Sequence, residues 1–264
     1  NCTDKISKQV TVLTSPTASF TVSNACLGSA ATFTNNSTNA NSYIWDFGNG
    51  VTSTTANPTY TYSSTGTYTV TLTARNTNGC DQVTTRSISI FAAPTVSFTA
   101  NTVCEGTATT FTNNSSVSSG TLTYVWTYGN GSSSTAGTPT HTYTYGGPGT
   151  FNVTLIGTTN NGCGKSYSAQ VNVNAMPKSD FAMSNACVNT AVAFTNHSTG
   201  GSTYNWNFGN GGSSTATNPS YTYVAAGTFT VTLTVTSANN CVAVSSKSIT
   251  IYPNPVADFT AANV

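Results

Sequence analysis

The sequence predicts an all-β protein built as a tandem array of sandwiches. Three observations carry the prediction: the composition, a repeat of about eighty residues, and strict alternation in the longest apolar–polar runs. Of 264 residues, 37% are hydrophobic, 11% aromatic and only 5% charged. That is enough apolar material for several small cores and too much for a disordered chain. The polar surface must come from Thr, Ser and Asn. Thr and the aromatics favour strands, while Asn, Pro and the 22 glycines favour turns. Seven Lys and Arg against six Asp and Glu leave a net charge of +1, which gives no electrostatic footprint for nucleic acid or an anionic membrane. No run approaches the roughly 18 apolar residues of a membrane-spanning helix. The opening Asn1-Cys2-Thr3-Asp4-Lys5 has no apolar leader core, so the numbering is expected to begin inside a longer or processed protein.

The repeat is read by laying the chain over itself. Pro16 opens PTASFTVSNAC, Pro94 opens PTVSFTANTVC, Pro177 opens PKSDFAMSNAC and Pro255 opens PVADFTAANV, at intervals of 78, 83 and 78 residues. Each unit continues with an FTNNS-like strand (Phe33, Phe111, Phe194), a Trp strand (Trp45, Trp126, Trp206), a Gly-Asn-Gly turn and a long alternating strand. The Trp stands 13 residues before Pro58, Pro139 and Pro219 in all three. The five extra residues of the second unit fall as three before Trp126, in SSVSSGTLTY, and two in the YGGPG stretch after Tyr143, both loop-like in composition. The expected boundaries are therefore 16–93, 94–176 and 177–254. Residues 1–15 are expected as the last strand of a preceding repeat and 255–264 as the first strand of a following one.

The elements follow in order. TYTVTLT at 67–73 places Tyr68, Val70 and Leu72 on one face and Thr67, Thr69, Thr71 and Thr73 on the other. Phe151, Val153 and Leu155, and Phe229, Val231 and Leu233, repeat the apolar face. Asn49-Gly50, Asn130-Gly131 and Asn210-Gly211 supply the pair that a type I′ hairpin turn prefers. About seven short strands per unit read as an immunoglobulin-type sandwich. A β-helix is the lesser alternative, since it needs a period nearer 20–30 residues. In a sandwich, Trp45, Trp126 and Trp206 are expected in the core rather than on a sugar-binding platform.

Cys26 and Cys80 are 54 residues apart, Cys104 and Cys163 are 59 apart, and Cys187 and Cys241 are 54 apart; the 59 carries the same insertion. The spacing predicts three bridges within repeats, Cys26–Cys80, Cys104–Cys163 and Cys187–Cys241, each worth about 4 kcal/mol on the chain-entropy model. A zinc site competes poorly, because two cysteines per unit lack a His pair. Cys2 stands 14 residues before Pro16, the register of Cys80, Cys163 and Cys241, so its partner is expected upstream of residue 1. The chain ends one residue before the first cysteine of a next unit would fall.

The motifs WDFGNG (45–50), WTYGNG (126–131) and WNFGNG (206–211), each followed by P-x-[YH]-T-Y and a G-T-[YF]-x-V-T-L strand, resemble the PKD (polycystic kidney disease) domain. The resemblance covers residues 16–254 three times over. It implies an extracellular, often tandem, immunoglobulin-like module used as a spacer or in adhesion. The Cys-containing, Thr- and Asn-rich style is similar to that of surface proteins of Bacteroidota-type bacteria. The family's usual W-D-F-G-D-G has Asn49, Asn130 and Asn210 at its fifth position here, and Asp46, Thr127 and Asn207 at its second. A cation role of paired acids in that loop is thereby put in doubt.

No chemistry-bearing set is legible. The acids are Asp4, Asp46, Asp81, Glu105, Asp180 and Asp258, and none pair at equivalent loop positions within one unit. Asp180 and Asp258 are expected to cap a turn at a junction. His141 replaces Tyr60 and Tyr221 and is expected to pack, and His197 falls in a loop. No catalytic residue, metal ligand or cofactor is expected. If a ligand surface exists, it is expected on Tyr60, Tyr62, Tyr143, Tyr221 and Tyr223. The sequence thus reads as a segment of an extracellular rod, stalk or filament for surface attachment. Its partners would be neighbouring repeats, with copies of itself in a fibre and a surface polysaccharide as further ones. Nucleic acid and membrane insertion are excluded. An adhesin module and a spacer beside a secreted hydrolase are the rival readings.

Overall fold

The computed structural model describes residues 3–259 and contains three β-sandwiches in sequence, with no helix. In the first, a five-stranded sheet runs in the order Ala25–Cys26, Asp81–Phe91, Gly66–Arg75, Ser42–Asp46, Thr52–Ser53. Phe20–Thr21 with Thr34–Asn35, and Ala30–Thr32 with Thr59–Thr61, form two short ladders beside it. The third repeat copies this from Ala186–Cys187 and Val242–Tyr252 to Ser213–Ser214. In the second, the short ladders join into one three-stranded sheet, Phe98–Ala100, Thr109–Asn113 and Thr140–Tyr143. By compactness the chain divides into two units. One holds the residues up to Phe98 with Asn113–Pro139 and Thr154–Ser168; the other holds Thr99–Thr112, Thr140–Val153 and the residues from Ala169 on.

Alternation builds each core. Along Gly66–Arg75, Val70, Leu72 and Ala74 are buried while the intervening threonines reach solvent wholly or in part. Val231, Leu233 and Val235 do the same in Gly227–Thr236. These rows close over Phe20, Phe33, Trp45 and Phe47 in the first repeat and over Phe181, Phe194, Trp206 and Phe208 in the third. Trp45, Trp126 and Trp206 are each 0% exposed. Each indole N–H donates to a main-chain carbonyl ten residues on: Thr55 at 2.9 Å, Ala136 at 3.3 Å and Ala216 at 2.9 Å. The ring is therefore buried without stranding its one polar atom. Phe20 and Phe181 meet Trp45 and Trp206 edge-on at 5.0 and 5.1 Å, and Phe98 meets Trp126 at 5.1 Å.

The Gly-Asn-Gly turns differ from expectation. Positive φ is taken by Gly48 and Gly50, by Gly129 and Gly131, and by Gly209 and Gly211, whereas Asn49, Asn130 and Asn210 do not adopt it. This is a three-residue loop closed by Phe47 N–H to Val51 O at 3.0 Å, not a type I′ pair. The asparagines act through their side chains: Asn49 Oδ1 accepts from Val51 N–H and Asn210 Oδ1 from Gly212 N–H. The first glycine of the loop is the constrained one. A Cβ on Gly48 would lie 2.5 Å from the Thr69 carbonyl oxygen, and one on Gly209 would lie 2.6 Å from that of Thr230.

The second repeat also pairs its strands in a different register. Phe33 and Phe194 donate their N–H to Pro58 and Pro219, but Pro139 receives the N–H of Asn113, two residues beyond Phe111. Likewise Tyr60 faces Ala31 and Tyr221 faces Val192, while His141 faces Phe111. The two extra residues are thus absorbed before Tyr145 as a two-residue slip, not in the YGGPG stretch. An even slip keeps every side chain on its own face of the strand. Tyr145 consequently fills the place of Tyr62 and Tyr223. It stacks on Phe151 at 4.0 Å, as Tyr62 does on Tyr68 at 4.3 Å and Tyr223 on Phe229 at 4.7 Å.

At the chain ends the expected strands are not seen. Residues 3–15 and 255–259 lie outside all strands and are exposed. The alternating Val10 and Val12 have no strand partner among the described residues, so their apolar face is left uncovered. Cys2 and residues 260–264 lie outside the described residues.

Candidate functional site

The cysteines, not the tyrosines or acids, form the distinctive chemistry. The bridges are Cys26–Cys163 and Cys104–Cys241, each spanning 137 residues with Cα atoms 5.7 Å apart. They replace the expected pairing within repeats, and strand geometry explains why. Cys26 pairs in parallel register with Phe91, the last residue of Asp81–Phe91, whereas Cys80 immediately precedes the first residue of that strand. Eleven extended residues put the two cysteines roughly 35 Å apart, far beyond the ~7 Å Cα separation that a disulfide tolerates. The same argument separates Cys104 from Cys163 across Gly164–Asn174, and Cys187 from Cys241 across Val242–Tyr252. Each bridge therefore ties the first cysteine of one repeat to the second cysteine of the next. Cys26–Cys163 lies within the first compact unit and Cys104–Cys241 within the second.

Both halves of the bridge are held by main-chain bonds that recur in every repeat. On the first side, Leu27, Glu105 and Val188 donate their N–H to Phe91, Asn174 and Tyr252 at 2.8, 2.8 and 3.0 Å. Ser29, Thr107 and Thr190 then donate theirs back to the carbonyls of Cys26, Cys104 and Cys187. On the second side, Cys80, Cys163 and Cys241 each accept a bond from the residue four places earlier: Asn76, Thr159 and Ser237. The side chain of that same residue accepts the cysteine N–H, at 3.0, 3.0 and 3.1 Å. Spacing gave no hint of these three residues, whose only shared trait is a short polar acceptor. Closure of a 137-residue loop is worth about 5 kcal/mol on the chain-entropy model. Among the described residues Cys80 and Cys187 are free thiols, the former half-buried and the latter exposed.

The tyrosine surface does not assemble as expected. Tyr62 and Tyr223 are buried, 1% and 0% exposed, and their hydroxyls donate to Phe47 O and Phe208 O at 3.0 Å. Burial pushes both phenols up to about 12. Tyr60, Tyr143 and Tyr221 are half-buried. Tyr60 and Tyr221 are tied to the turn asparagines Asn49 and Asn210 at 2.9 and 3.1 Å, so each is fixed by its own repeat.

The titratable groups are dispersed. Asp46 Oδ1 accepts Gly48 N–H at 2.8 Å and shapes the turn, as Asn207 Oδ1 does for Gly209. Arg75 binds Asp81 with two contacts of 2.6 and 2.7 Å, holding that carboxyl below its ordinary range. Asp180 accepts the N–H of Phe181 and pairs with Lys247 at 2.8 Å, which likewise holds its carboxyl low. His141 stacks on Phe111 at 5.3 Å, and burial lowers its basicity. His197 lies in its loop with its N–H donated to Asp180 O. Among the described residues no three His, Cys, Asp or Glu side chains gather as a metal site, and no helix is long and apolar enough to cross a membrane.

Comparison with known proteins agrees with this architecture. The family model described as PKD domain matches residues 13–90, 91–175 and 173–251. The pre-pro-metalloprotease PrtV of Vibrio cholerae is 35% identical over 88 residues, a third of this chain and a tenth of that protein's length. Among solved structures, the PKD1 domain of the same metalloprotease is 37% identical. It covers 29% of this chain and 98% of its own, with a TM-score of 0.27. The PKD1 domain of Vibrio anguillarum Epp is 33% identical, covering 29% of this chain and 94% of its own, with a TM-score of 0.27. A titin I-band fragment, I67–I69, covers 92% of this chain and all of its own at 11% identity and a TM-score of 0.47. With three consecutive matches spanning nearly all of its residues, the chain belongs to the PKD domain family and carries that domain three times in tandem.

Proposed function

We propose that this chain is a structural segment of a long extracellular repeat protein, a stiff rod, stalk or filament piece whose task is to hold distance for surface attachment. The observation that carries the reading is the pair of equivalent disulfides that fasten each repeat to the next. A bridge within a sandwich would add stability to that sandwich alone. One across a junction costs the chain its freedom to bend there, which is of use only where relative orientation matters. Cystines also belong to oxidising compartments, in keeping with an extracellular setting. The near-neutral surface adds little self-repulsion and permits lateral association with other copies in a fibre. Neighbouring repeats are the partners this reading requires. A polysaccharide target would have to be met by loop surfaces and the half-buried Tyr60, Tyr143 and Tyr221, since Tyr62 and Tyr223 are buried.

Small-angle scattering in oxidised and in reduced buffer tests the reading. It predicts an extended, stiff particle that becomes flexible when the two bridges are reduced. A particle that is already flexible while oxidised overturns it. A second reading, a spacer beside a secreted hydrolase domain, is favoured by the kinship with a metalloprotease segment. It predicts a catalytic domain on the same polypeptide.

A further inference from the structure

We infer that the Gly-Asn-Gly turns are built-in sites of covalent modification: Asn49, Asn130 and Asn210 convert to aspartate and isoaspartate by cyclising onto the glycine that follows. Asn-Gly occurs five times in the chain, at Asn49-Gly50, Asn78-Gly79, Asn130-Gly131, Asn161-Gly162 and Asn210-Gly211. All five asparagines are exposed, so neither the dipeptide nor access to water tells them apart. The hydrogen bonding of the glycine does. Gly79 donates its N–H to Asn76 O at 3.1 Å and Gly162 donates its own to Thr159 O at 2.9 Å, each closing the turn that precedes a cysteine. Among the described residues Gly50, Gly131 and Gly211 donate no such bond.

The reaction needs two things from the fold, an unengaged nucleophilic nitrogen and a polarised amide carbonyl. The turn supplies both. In each turn the asparagine Oδ1 accepts the main-chain N–H two residues on: Val51 at 3.3 Å, Ser132 at 3.2 Å and Gly212 at 3.2 Å. This bond folds the side chain back over the intervening glycine, whose nitrogen is the attacking atom. The same donor faces the oxygen on which negative charge gathers when Cγ becomes tetrahedral. At Asn78 and Asn161 the glycine nitrogen must first give up its hydrogen bond. Losing that bond slows the attack by roughly a factor of five.

Gly50 N, its proton passed to water or hydroxide, attacks Asn49 Cγ. The N–Cγ bond forms, the Cγ–Nδ2 bond breaks, and Nδ2 leaves as ammonia with a proton from solvent. Water then opens the cyclic imide at one of its two carbonyls. Opening at the main-chain carbonyl leaves isoaspartate, and opening at Cγ leaves aspartate. No electrons are exchanged, and water is the co-reactant. Each conversion replaces a neutral amide by a carboxylate. Three of them carry the net charge from +1 to −2, adding repulsion to a surface that has almost none.

The test holds the whole folded chain in warm, mildly alkaline buffer made with heavy-oxygen water. Aliquots are digested in acidic buffer of normal water and mapped by mass spectrometry, so that carboxylates formed during the incubation carry the label. A second sample, reduced and unfolded in urea, is treated alike and calibrates the effect of neighbouring sequence. In the folded chain Asn49, Asn130 and Asn210 are expected to convert roughly fivefold faster than Asn78 and Asn161, or more. In the unfolded chain the five rates are expected to draw together. An acidic shift of the folded chain in isoelectric focusing is expected to keep pace with the three turn conversions. Folded rates at Asn78 or Asn161 that match or exceed the turn rates, including no conversion at any of the five, overturn the inference. So does the same ranking and spread in urea, which assigns the difference to sequence and not to the fold.

Discussion

The first and second repeats solve the same packing problem with different strand registers. Both enclose a fully buried Trp against a Phe and bury a Tyr in the core. In the first, the buried Tyr is Tyr62, four residues after Pro58. In the second it is Tyr145, six residues after Pro139. What is kept is the count from the other end: Tyr62 to Tyr68, Tyr145 to Phe151 and Tyr223 to Phe229 are all six residues. The lesson is that the core aromatics are placed by the long central strand. The shorter strand that carries the P-x-[YH]-T-Y motif slides to suit, in steps of two, because a step of one would turn its aromatic face to solvent.

The sharpest way to break this comparison is to truncate the two candidates for the buried Tyr of the second repeat. Tyr145→Ala is expected to cost about 3 kcal/mol and Tyr143→Ala only about 1 kcal/mol in denaturant unfolding. If the P-x-[YH]-T-Y motif set the core instead, the order would reverse. Gly48→Ala tests the shared turn. Its positive φ and the nearby Thr69 carbonyl together predict a loss of about 2 kcal/mol or more, matched by Gly209→Ala, whereas Gly50→Ala meets no atom within 4 Å and should cost less.

A smaller effect sharpens the role of the buried hydroxyls. The native state holds Tyr62 and Tyr223 as neutral phenols with pKa values of about 12, above their unfolded value of about 10. That stabilisation is whole below about pH 10 and is lost as the pH rises toward about 12. Tyr223→Phe is expected to cost about 1 kcal/mol at neutral pH, through the bond to Phe208 O, and to weaken the alkaline unfolding seen by circular dichroism. An effect of similar size has the opposite sign. Thr109 is fully buried with its hydroxyl lacking a partner, at the site filled by Ala31 and Val192 in the other repeats. Thr109→Val is expected to stabilise the second repeat by about 1 kcal/mol, read as a rise in its unfolding midpoint.

The tandem sandwich was legible because period, alternation and the Trp motif are local signals that agree with one another. The bridges were not, because equal spacing in three repeats is compatible with pairing inside a repeat or across two. Only half of the deciding fact stood in the sequence. Cys80, Cys163 and Cys241 each stand just before the last strand, and the first cysteine of every repeat pairs with the end of that strand. A strand of eleven residues excludes the shorter pairing, but the parallel pairing that makes this argument is a two-residue contact with no sequence signature. The turn type was misread for a related reason. Asn-Gly is the strongest two-residue hairpin signal, yet the glycine before it, Gly48, takes positive φ first and lengthens the loop.

The account turns on which cysteines are joined. Non-reducing protease digestion with mass mapping reads this directly. The account predicts peptides linking Cys26 to Cys163 and Cys104 to Cys241. Peptides linking Cys26 to Cys80, Cys104 to Cys163 or Cys187 to Cys241 would contradict it.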